Sequence, residues 1–312
     1  MPQQYTAEVG WGAGLPDVRG RDVSDVAVGP NDEVYLLYRE PSFVVVADRH
    51  GALCRRFGEG ELSRPHGVMT TGDRTYVVDE GADRVLVFDR SGRMISQIGT
   101  GPSDPEFPRS GMHVDRITSP HGPFTRPTRL AIAGRGRTYV SDGYGNCRIH
   151  AFDEAERLVR SWGEPGNGPG EFRIPHALTV DEAGRVLVCD RENDRIQVFD
   201  SDGRHVETWS GLQRPNAIQQ GEDGLLYVAE GRAPSGAVPS GIAIHTADGR
   251  RVTRLGTDRP DEPGGFVSAH GMAVDSEGSI YVAECVAALA ANFPGAVSPN
   301  RVAVQKLRRT AA

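Results

Sequence analysis

Apolar and polar positions repeat with a long period along this chain. The segment 124–199 contains two copies of one pattern, FTRPTRLAIAGRGRTYVSDGYGNCRIHAF and FRIPHALTVDEAGRVLVCDRENDRIQVF. Each copy has a Pro-X pair, a short apolar run, a turn with Gly, a second run ending Val-X-Asp, a polar loop and a run ending Arg-Ile-X-X-Phe. Short runs rich in Val, Ile, Leu and Tyr between Gly and Asp turns predict antiparallel β-strands.

Six copies of this pattern can be aligned, and a repeat of about 40 residues is typical of a propeller or a solenoid. The copies open at Val23-Ser24, Pro65-His66, Pro127-Thr128, Pro175-His176, Pro215-Asn216 and Ala269-His270. Each copy offers about four short runs, which predicts a four-stranded blade. The predicted blades span about 22–58, 63–99, 125–163, 173–210, 213–256 and 267–309 of a single domain, 1–312.

The two ends of the chain are predicted to close the ring. The sixth copy stops after its third run, RVAVQKL, whereas the run YTAEVGWG precedes the first copy. A strand at 4–12 would complete blade six, and closure would remove exposed strand edges that otherwise invite aggregation. The sequence therefore predicts an all-β fold, a six-bladed β-propeller closed by its amino-terminal strand.

Histidine occupies the second opening position in every alternate blade, at His66, His176 and His270. Inner strands of a closed ring face its channel, so we expect these imidazoles to converge at one height. A single histidine there would more often serve as a hydrogen-bonding residue of the channel. Three in alternating register favour a metal site of the kind that binds catalytic zinc and keeps a fourth position open. The general order of metal affinities leaves iron, cobalt, nickel and copper as alternatives.

A second set of candidate residues follows the Val-X-Asp position of each copy. The six residues at that place are Arg39, Glu80, Gly143, Arg191, Gly231 and Cys285. Tyr144 follows directly, so two arginines and a tyrosine would surround the mouth of the metal site. Arginine offers a two-pronged fork for a carboxylate, and a tyrosine beside cations can act as a base. The alternatives are surface ion pairs for the arginines, with Asp190 or Asp194 as partners of Arg191, and simple loop packing for Tyr144.

Composition and charge exclude several classes of function. The net charge is −7 and the isoelectric point about 5.7, which disfavours nucleic-acid binding. The start MPQQYTAEVGWGAG lacks a secretory apolar core, and no apolar run is long enough to span a membrane. Four scattered cysteines without a CxxC motif predict no disulfides. We therefore expect a cytoplasmic protein without membrane partners; its oligomeric state stays open.

The repeats resemble the NHL-repeat family of six-bladed propellers over nearly the whole chain. The motifs VSDGYGNCRI, GEFRIPHAL and DRENDRIQVF further resemble the catalytic domain of the peptidyl-α-hydroxyglycine α-amidating lyase family. The resemblance implies zinc ligands at His66, His176 and His270. It also implies a catalytic tyrosine at Tyr144 and active-site arginines at Arg39, by a looser alignment, and at Arg191.

The sequence departs from the family at several positions. Disulfide-forming cysteines of secreted members are replaced here by Gly145, Leu187 and Val198. The family also has a channel calcium, held by a carboxylate directly after its third histidine, where this chain has Gly271. Asp25 could supply that carboxylate, or Arg129 could pair with Asp25 and displace the ion.

These residues predict a metal-dependent carbon–nitrogen lyase. It would cleave an α-hydroxyglycine-like carbinolamide, either peptide-like or a small metabolite such as ureidoglycolate, to an amide and glyoxylate. The bound metal would acidify the hydroxyl, Tyr144 would take its proton, and Arg39 or Arg191 would hold the carboxylate. The insertion 100–124 would wall the site and select the substrate. A metal-dependent hydrolase such as a lactonase, and a non-catalytic NHL interaction module, remain alternatives.

Overall fold

The fold is taken from a computed structural model of the chain. It describes residues 4–16, 19–102, 104–109, 111–118, 120–232, 238–292, 297–298 and 301–310. The extreme ends of the predicted domain, and residues 103, 110 and 119 of the predicted insertion 100–124, lie outside the described residues.

Six four-stranded sheets with antiparallel neighbouring strands form the blades of a propeller, and in five of them the strands follow the chain order. Blade one contains Val23–Val28, Val34–Arg39, Ser42–Ala47 and Leu53–Phe57; blade two contains Pro65–Thr71, Arg74–Asp79, Arg84–Asp89 and Met94–Ile98. Blade three contains Arg129–Ile132, Thr138–Asp142, Arg148–Phe152 and Leu158–Trp162; blade four contains Pro175–Val180, Val186–Asp190, Arg195–Phe199 and His205–Trp209. Blade five contains Pro215–Gln220, Leu226–Glu230, Gly241–His245 and Arg251–Leu255; blade six contains Ala269–Val274, Ile280–Glu284, Val304–Thr310 and the amino-terminal strand Gln4–Ala7. The predicted all-β, six-bladed propeller is confirmed.

The amino-terminal strand closes the ring as predicted. Gln4–Ala7 runs antiparallel to Val304–Thr310, so that the first strand of the chain pairs with the last. The strand is shorter than the predicted 4–12, because the chain turns after it. Trp11 then packs edge-on against Tyr281 of blade six, with 5.1 Å between ring centroids, and its indole N–H donates to a backbone carbonyl. This aromatic contact secures the closing strand from its other end.

The hydrophobic core is divided among the seams between neighbouring blades. Six clusters of buried side chains each join two successive blades, and the cluster between blades six and one completes the circle. The cluster between blades three and four also contains Phe107 and Ile117, which belong to the connection 100–124. That connection is therefore packed onto the ring by buried apolar side chains.

The remaining elements are short. One α-helix covers Val286–Asn292, and a two-stranded parallel pair joins Glu164–Pro165 to Glu171–Phe172. Single turns of 3-10 helix lie at Pro30–Asp32, Glu80–Ala82, Val114–Arg116, Gly134–Gly136 and Arg191–Asn193. Among the described residues, no helix has the length and apolarity needed to cross a membrane.

Candidate active site

A β-bulge turns the second residue of the opening pair into the channel. In five blades the pairing of the first two strands skips this residue, between Val23 and Asp25, Pro65 and Gly67, Pro175 and Ala177, Pro215 and Ala217, and Ala269 and Gly271. A bulge leaves one residue out of the ladder and redirects its side chain. Consequently the skipped residues line one small cavity in the channel, namely Ser24, His66, His176, Asn216 and His270.

The three histidines converge as the sequence predicts. One ring nitrogen from each of His66, His176 and His270 lies within 4.8 Å of the others. The ring centroids are 4.8 to 5.0 Å apart and the rings meet edge to face. His66 and His176 are buried, and His270 is partly buried. Three imidazoles from alternate blades thus form a tripod of the size that can hold a single metal ion.

The tautomer of each histidine is fixed by the next blade. Nδ1 of His66 is 2.8 Å from the carbonyl oxygen of Thr128, and Nδ1 of His176 is 2.7 Å from that of Asn216. Nδ1 of His270 lies 2.7 Å from the carbonyl oxygen of Ser24. A carbonyl can only accept, so each Nδ1 carries the hydrogen and each Nε2 keeps a lone pair. Metal-binding histidines in proteins are commonly oriented by such a second hydrogen bond.

The intervening blades complete a ring of hydrogen bonds around the tripod. The hydroxyl of Ser24 donates to the carbonyl of Pro65 at 3.2 Å, and that of Thr128 to the carbonyl of Pro175 at 3.0 Å. The side-chain amide of Asn216 donates to the carbonyl of Ala269 at 2.8 Å. Each of these carbonyls belongs to the residue before a histidine. The non-histidine opening residues therefore hold the backbone from which the ligands project.

Electrostatics keep the tripod neutral. Burial lowers the pKa of His66 and of His176 well below the ordinary histidine value, and nearby charges of Arg39 and Arg191 act in the same direction. Burial, followed by the charge of Arg39, lowers the pKa of His270 to about 3. Neutral imidazole is the form that binds metals, so near neutral pH all three are ready to act as ligands.

Tyr144 lies directly against the tripod. Its hydroxyl is 2.9 Å from Nε2 of His176 and 3.1 Å from Nε2 of His66, and the side chain is 9% exposed. Two unprotonated nitrogens thus face one hydroxyl that has a single hydrogen to donate. This shortage of donors around three converging lone pairs is what a bound cation would relieve, so the residues present fit a metal ion.

Arg191, which belongs to the DREN motif, contacts Tyr144. Its Nη1 donates to the Tyr144 hydroxyl at 3.3 Å, and its guanidinium carbon lies 5.4 Å from the centre of that ring. Its Nε pairs with Glu192 at 2.9 Å, and its Nη2 contacts Met112 of the 100–124 connection. The alternative of a surface ion pair with Asp190 or Asp194 is wrong, because Arg191 is 5% exposed and its ionic partner is Glu192.

Arg39 is buried with unused donors. It is 6% exposed, and its Nε and Nη2 have no hydrogen-bond partner among the described residues. Burial alone would lower its pKa, but surrounding acidic groups that include Glu80 raise the value overall, so the guanidinium stays charged. A buried polar group without a partner is costly unless a ligand completes it. Arg39 is thus poised to receive an anion.

The sequence did not single out Arg126, which the structure places behind Tyr144. Its guanidinium carbon lies 5.2 Å from the centre of the tyrosine ring. Its Nε donates to Glu80 at 2.8 Å, and both residues are 2% exposed or less. The one signal in the sequence was Glu80 itself, the only acidic residue at an aligned position that otherwise holds Arg, Gly or Cys.

The channel does not fit calcium. Of the two alternatives for Asp25, the structure shows the ion pair, with Arg129 Nη1 2.8 Å from Asp25 Oδ1. The other carboxylate oxygen accepts the backbone N–H of Val68 at 2.9 Å, and Arg129 Nη2 also contacts the carbonyl of Met272 at 3.4 Å. A Cβ added to Gly271 would lie 2.5 Å from Asp25, so no carboxylate fits there beside it. A guanidinium thus takes up the oxygens that a calcium ion would need.

Comparisons of sequence agree with the resemblance. The profile of the NHL repeat matches residues 172–199. The chain is 27% identical over 274 residues to peptidyl-glycine alpha-amidating monooxygenase A of Xenopus laevis, covering 82% of this chain and 26% of that protein. It is also 27% identical over 274 residues to peptidyl-alpha-hydroxyglycine alpha-amidating lyase 1 of Drosophila melanogaster, covering 79% and 47%. NHL repeat-containing protein 3 of Homo sapiens is 27% identical over 243 residues, covering 72% and 67%.

Comparisons of structure agree on the fold. A streptogramin B lyase structure superposes with a TM-score of 0.61 at 12% identity, covering 99% of this chain and 97% of the other. A protein of unknown function from Bacteroides thetaiotaomicron gives 0.64 at 16%, covering 99% and 76%. At sequence identities this low, the superpositions indicate a shared architecture and nothing about function. The chain is therefore a six-bladed β-propeller with an NHL-repeat match at residues 172–199, and it is similar to the peptidyl-α-hydroxyglycine α-amidating lyases.

Proposed function

We propose that this protein is a metal-dependent carbon–nitrogen lyase acting on an α-hydroxyglycine-like carbinolamide. The reaction breaks the bond between the amide nitrogen and the hydroxyl-bearing carbon. The hydroxyl loses its proton and becomes the aldehyde of glyoxylate, while the nitrogen gains a proton and leaves as a primary amide. No water is consumed and nothing is oxidised. The observation that carries the proposal is one tyrosine hydroxyl in contact with two of three converging, unprotonated histidine nitrogens.

His66, His176 and His270 would hold the metal, with zinc as the ion we propose. When bound, such an ion acts as a Lewis acid that acidifies a hydroxyl lying beside it. The protein residues supply the rest. The hydrogen bonds from Nδ1 to Thr128 and Asn216 keep the imidazoles from rotating. With Nδ1 protonated and Nε2 facing the ion, neither ring nitrogen would be free to take up the substrate proton. The proton must therefore go to another group.

Tyr144 is the group that can move the proton. Its oxygen faces the tripod, so a substrate hydroxyl at the open position would lie within hydrogen-bonding reach of it. Arg191 donates to the same oxygen and holds it at the tripod by a charge-assisted hydrogen bond. The proton taken from the hydroxyl can then be returned to the departing amide nitrogen.

Arg39 is the better of the two candidate carboxylate anchors. Its Nε and Nη2 are free to donate, whereas the donors of Arg191 are engaged with Glu192, Tyr144 and Met112. A carboxylate paired with a buried guanidinium forms strong, directional hydrogen bonds. Arg39 would thus fix the glyoxylate half of the substrate, and Arg191 would act mainly on Tyr144.

The substrate would be small or peptide-like on its amide side. The connection 100–124 is fixed to the ring through buried Phe107 and Ile117, and it brings Met112 against Arg191. It therefore forms one wall of the site, and it is the segment we propose to select among carbinolamides. N-acyl-α-hydroxyglycines and ureidoglycolate share the required carbinolamide and carboxylate.

The test combines metal analysis with product analysis. Protein purified without an affinity tag should contain about one zinc per chain and should release glyoxylate together with an intact amide. His176→Asn should lose both the metal and the activity. The matched control is His245→Asn, because His245 is also buried but packs on Trp209 far from the tripod.

Other products would point to the rival functions. A carboxylic acid and ammonia in place of the amide would indicate a hydrolase that uses the same tripod. Absence of bound transition metal after reconstitution, with no turnover, would contradict the lyase and favour a non-catalytic NHL module; one relative named above is known only as an NHL repeat-containing protein.

A further inference from the structure

Glu80 and Arg126 form a buried ion pair that departs from the repeat. The second strand of four blades ends in a carboxylate paired with an arginine of the same blade: Asp79 with Arg84, Asp190 with Arg195, Glu230 with Arg254, and Glu284 with Arg301. Glu80 comes one residue later than these and pairs with Arg126, just ahead of the next blade. The Glu80–Arg126 ion pair is therefore not one of the ion pairs that recur within the blades.

Arg126 connects three parts of the molecule. Its Nε and Nη2 both bind one oxygen of Glu80 in blade two. Its Nη1 donates to the carbonyls of Gly111 at 2.7 Å and of Pro108 at 3.3 Å, both in the 100–124 connection. Its guanidinium carbon lies over the Tyr144 ring, 5.2 Å from the ring centre. Every polar end of the side chain is thus used, either by Glu80 or by the connection.

The Tyr144 ring contacts two cations, because the guanidinium carbon of Arg191 also lies over the ring, 5.4 Å from its centre. The Arg191 side chain also bonds to the hydroxyl. The Arg126 side chain contacts the ring of Tyr144, and the Arg126 backbone carbonyl accepts the Tyr144 N–H at 3.2 Å. A cation at the face of an aromatic ring is attracted to it, more strongly where water is excluded. Both Glu80 and Arg126 are buried, so this contact is dry.

We propose that Arg126, held by Glu80, is a positioning residue that fixes the Tyr144 ring against the tripod and clasps the 100–124 connection over the site. The positioning of Tyr144 rests on the proposed function. The hydrogen bonds from Arg126 to the 100–124 connection, here called the clasp, do not rest on it. Glu80 offsets the charge of Arg126 in its buried position, since an unpaired buried guanidinium would be strongly unfavourable. One ion pair would thereby couple the wall of the substrate site to the proton-transferring group.

Three variants separate this role from a merely structural one. Arg126→Met keeps the aliphatic stem and removes the charge, while Arg126→Lys keeps a cation near Glu80 and the ring but cannot also reach both carbonyls. Arg301→Met is the matched control, because Arg301 likewise binds a buried glutamate through Nε and Nη2 and donates to loop carbonyls, in blade six. Arg126→Met and Arg301→Met should both lose stability, since each removes the arginine that binds a buried glutamate through two nitrogens. Neither carboxylate is left bare, because Glu80 keeps Arg64 Nε at 3.4 Å and Glu284 keeps two backbone N–H donors.

The kinetic readout is the separation of kcat from KM. Arg126→Met should lower kcat about 10- to 30-fold with zinc content unchanged, and Arg126→Lys should recover most of that loss. Arg301→Met should leave kcat within about two-fold of the unmodified protein. A kcat for Arg126→Met equal to that of Arg301→Met would overturn the positioning role.

The clasp has a readout that needs no activity. Trypsin can cut the connection after Arg109 and after the exposed Arg116. Cleavage there should be faster in both Arg126 variants than in the unmodified protein or in Arg301→Met, with fragments identified by mass spectrometry. If no carbinolamide is cleaved by the unmodified protein, the proposed function fails while this comparison still decides the clasp. Equal cleavage rates in all four proteins would refute it.

Discussion

The hydroxyl oxygen of Tyr144 lies 2.9 Å from Nε2 of His176, on the side of the imidazole opposite the hydrogen bond from Nδ1 to Asn216. The imidazole is thereby fixed between a backbone carbonyl and a phenol. His66 is held in the same way, between Thr128 and Tyr144. The lone pairs on Nε2 of His176 and His66 therefore both point toward the Tyr144 hydroxyl. We expect a metal ion and a substrate hydroxyl to bind in this same region.

Replacing Tyr144 with Phe should separate metal binding from turnover. The ring, its packing and the two guanidinium contacts would remain, while the only group able to take the hydroxyl proton would be lost. We expect kcat to fall about 100- to 10,000-fold, the usual range for a general base, with zinc content unchanged. Tyr139→Phe is the matched control, because its hydroxyl bonds to Ser201 away from the site. Turnover within about two-fold of normal in Tyr144→Phe would remove this residue from the mechanism.

Arg39 and Arg191 should give different kinetic signatures. Arg39→Met removes a free anion anchor, so we expect KM to rise about 10- to 100-fold, as for a lost charged hydrogen bond, with a smaller change in kcat. Arg191→Met removes the donor to the Tyr144 hydroxyl, and the larger loss should appear in kcat. Steady-state kinetics on one carbinolamide will distinguish them, with exposed Arg56→Met as the control. The reverse pattern would exchange the two roles.

Removing the metal should destabilise the ring at its centre. A ligand at about a thousand times its dissociation constant adds about 4 kcal/mol, which for a chain of this length corresponds to a rise in Tm of about 6 °C. Treatment with a chelator should lower Tm by that amount, and zinc should restore it. His245→Asn should respond like the unmodified protein, whereas His176→Asn should not respond. An unchanged Tm in the unmodified protein after complete metal removal would argue against a bound ion at the tripod.

The sequence predicts the ring and the tripod because both follow from repetition. Six copies of one strand pattern define six blades, and the short sixth copy with the extra run before the first predicts the closure seen between Gln4–Ala7 and Val304–Thr310. His66, His176 and His270 occupy one repeat position, so their convergence follows from the same register. The bulge that turns them inward is itself part of the repeat.

What the sequence does not predict comes from contacts between different blades. Arg126 pairs with Glu80, which lies 46 residues earlier in the chain, and its guanidinium packs over the ring of Tyr144. Neither contact produces a regular spacing in the sequence from which it could be predicted. Arg39 and Arg191 were predicted to surround the mouth; burial instead leaves Arg39 with free donors and engages those of Arg191. Whether an arginine has a free donor depends on all the residues that surround it in space. The repeat pattern of the sequence does not predict those neighbours.

The last prediction concerns which cation binds Asp25 in the channel, Arg129 or calcium. Asp25 and Arg129 are largely buried and pair at 2.8 Å, so removing only one leaves an uncompensated charge and should cost about 3 to 5 kcal/mol. Arg129→Met should show that loss, and the double variant Asp25→Asn with Arg129→Met should recover much of it. Chemical denaturation of the unmodified protein, the two single variants Asp25→Asn and Arg129→Met, and the double variant will measure this. Calcium should leave the Tm of the unmodified protein unchanged, because the guanidinium already binds Asp25 and the Met272 carbonyl. In Arg129→Met the freed carboxylate can attract calcium, so any stabilisation by calcium should appear in that variant and vanish in the double one. A calcium-dependent rise in the Tm of the unmodified protein would show instead that the ion displaces Arg129, and the channel would then be a calcium site.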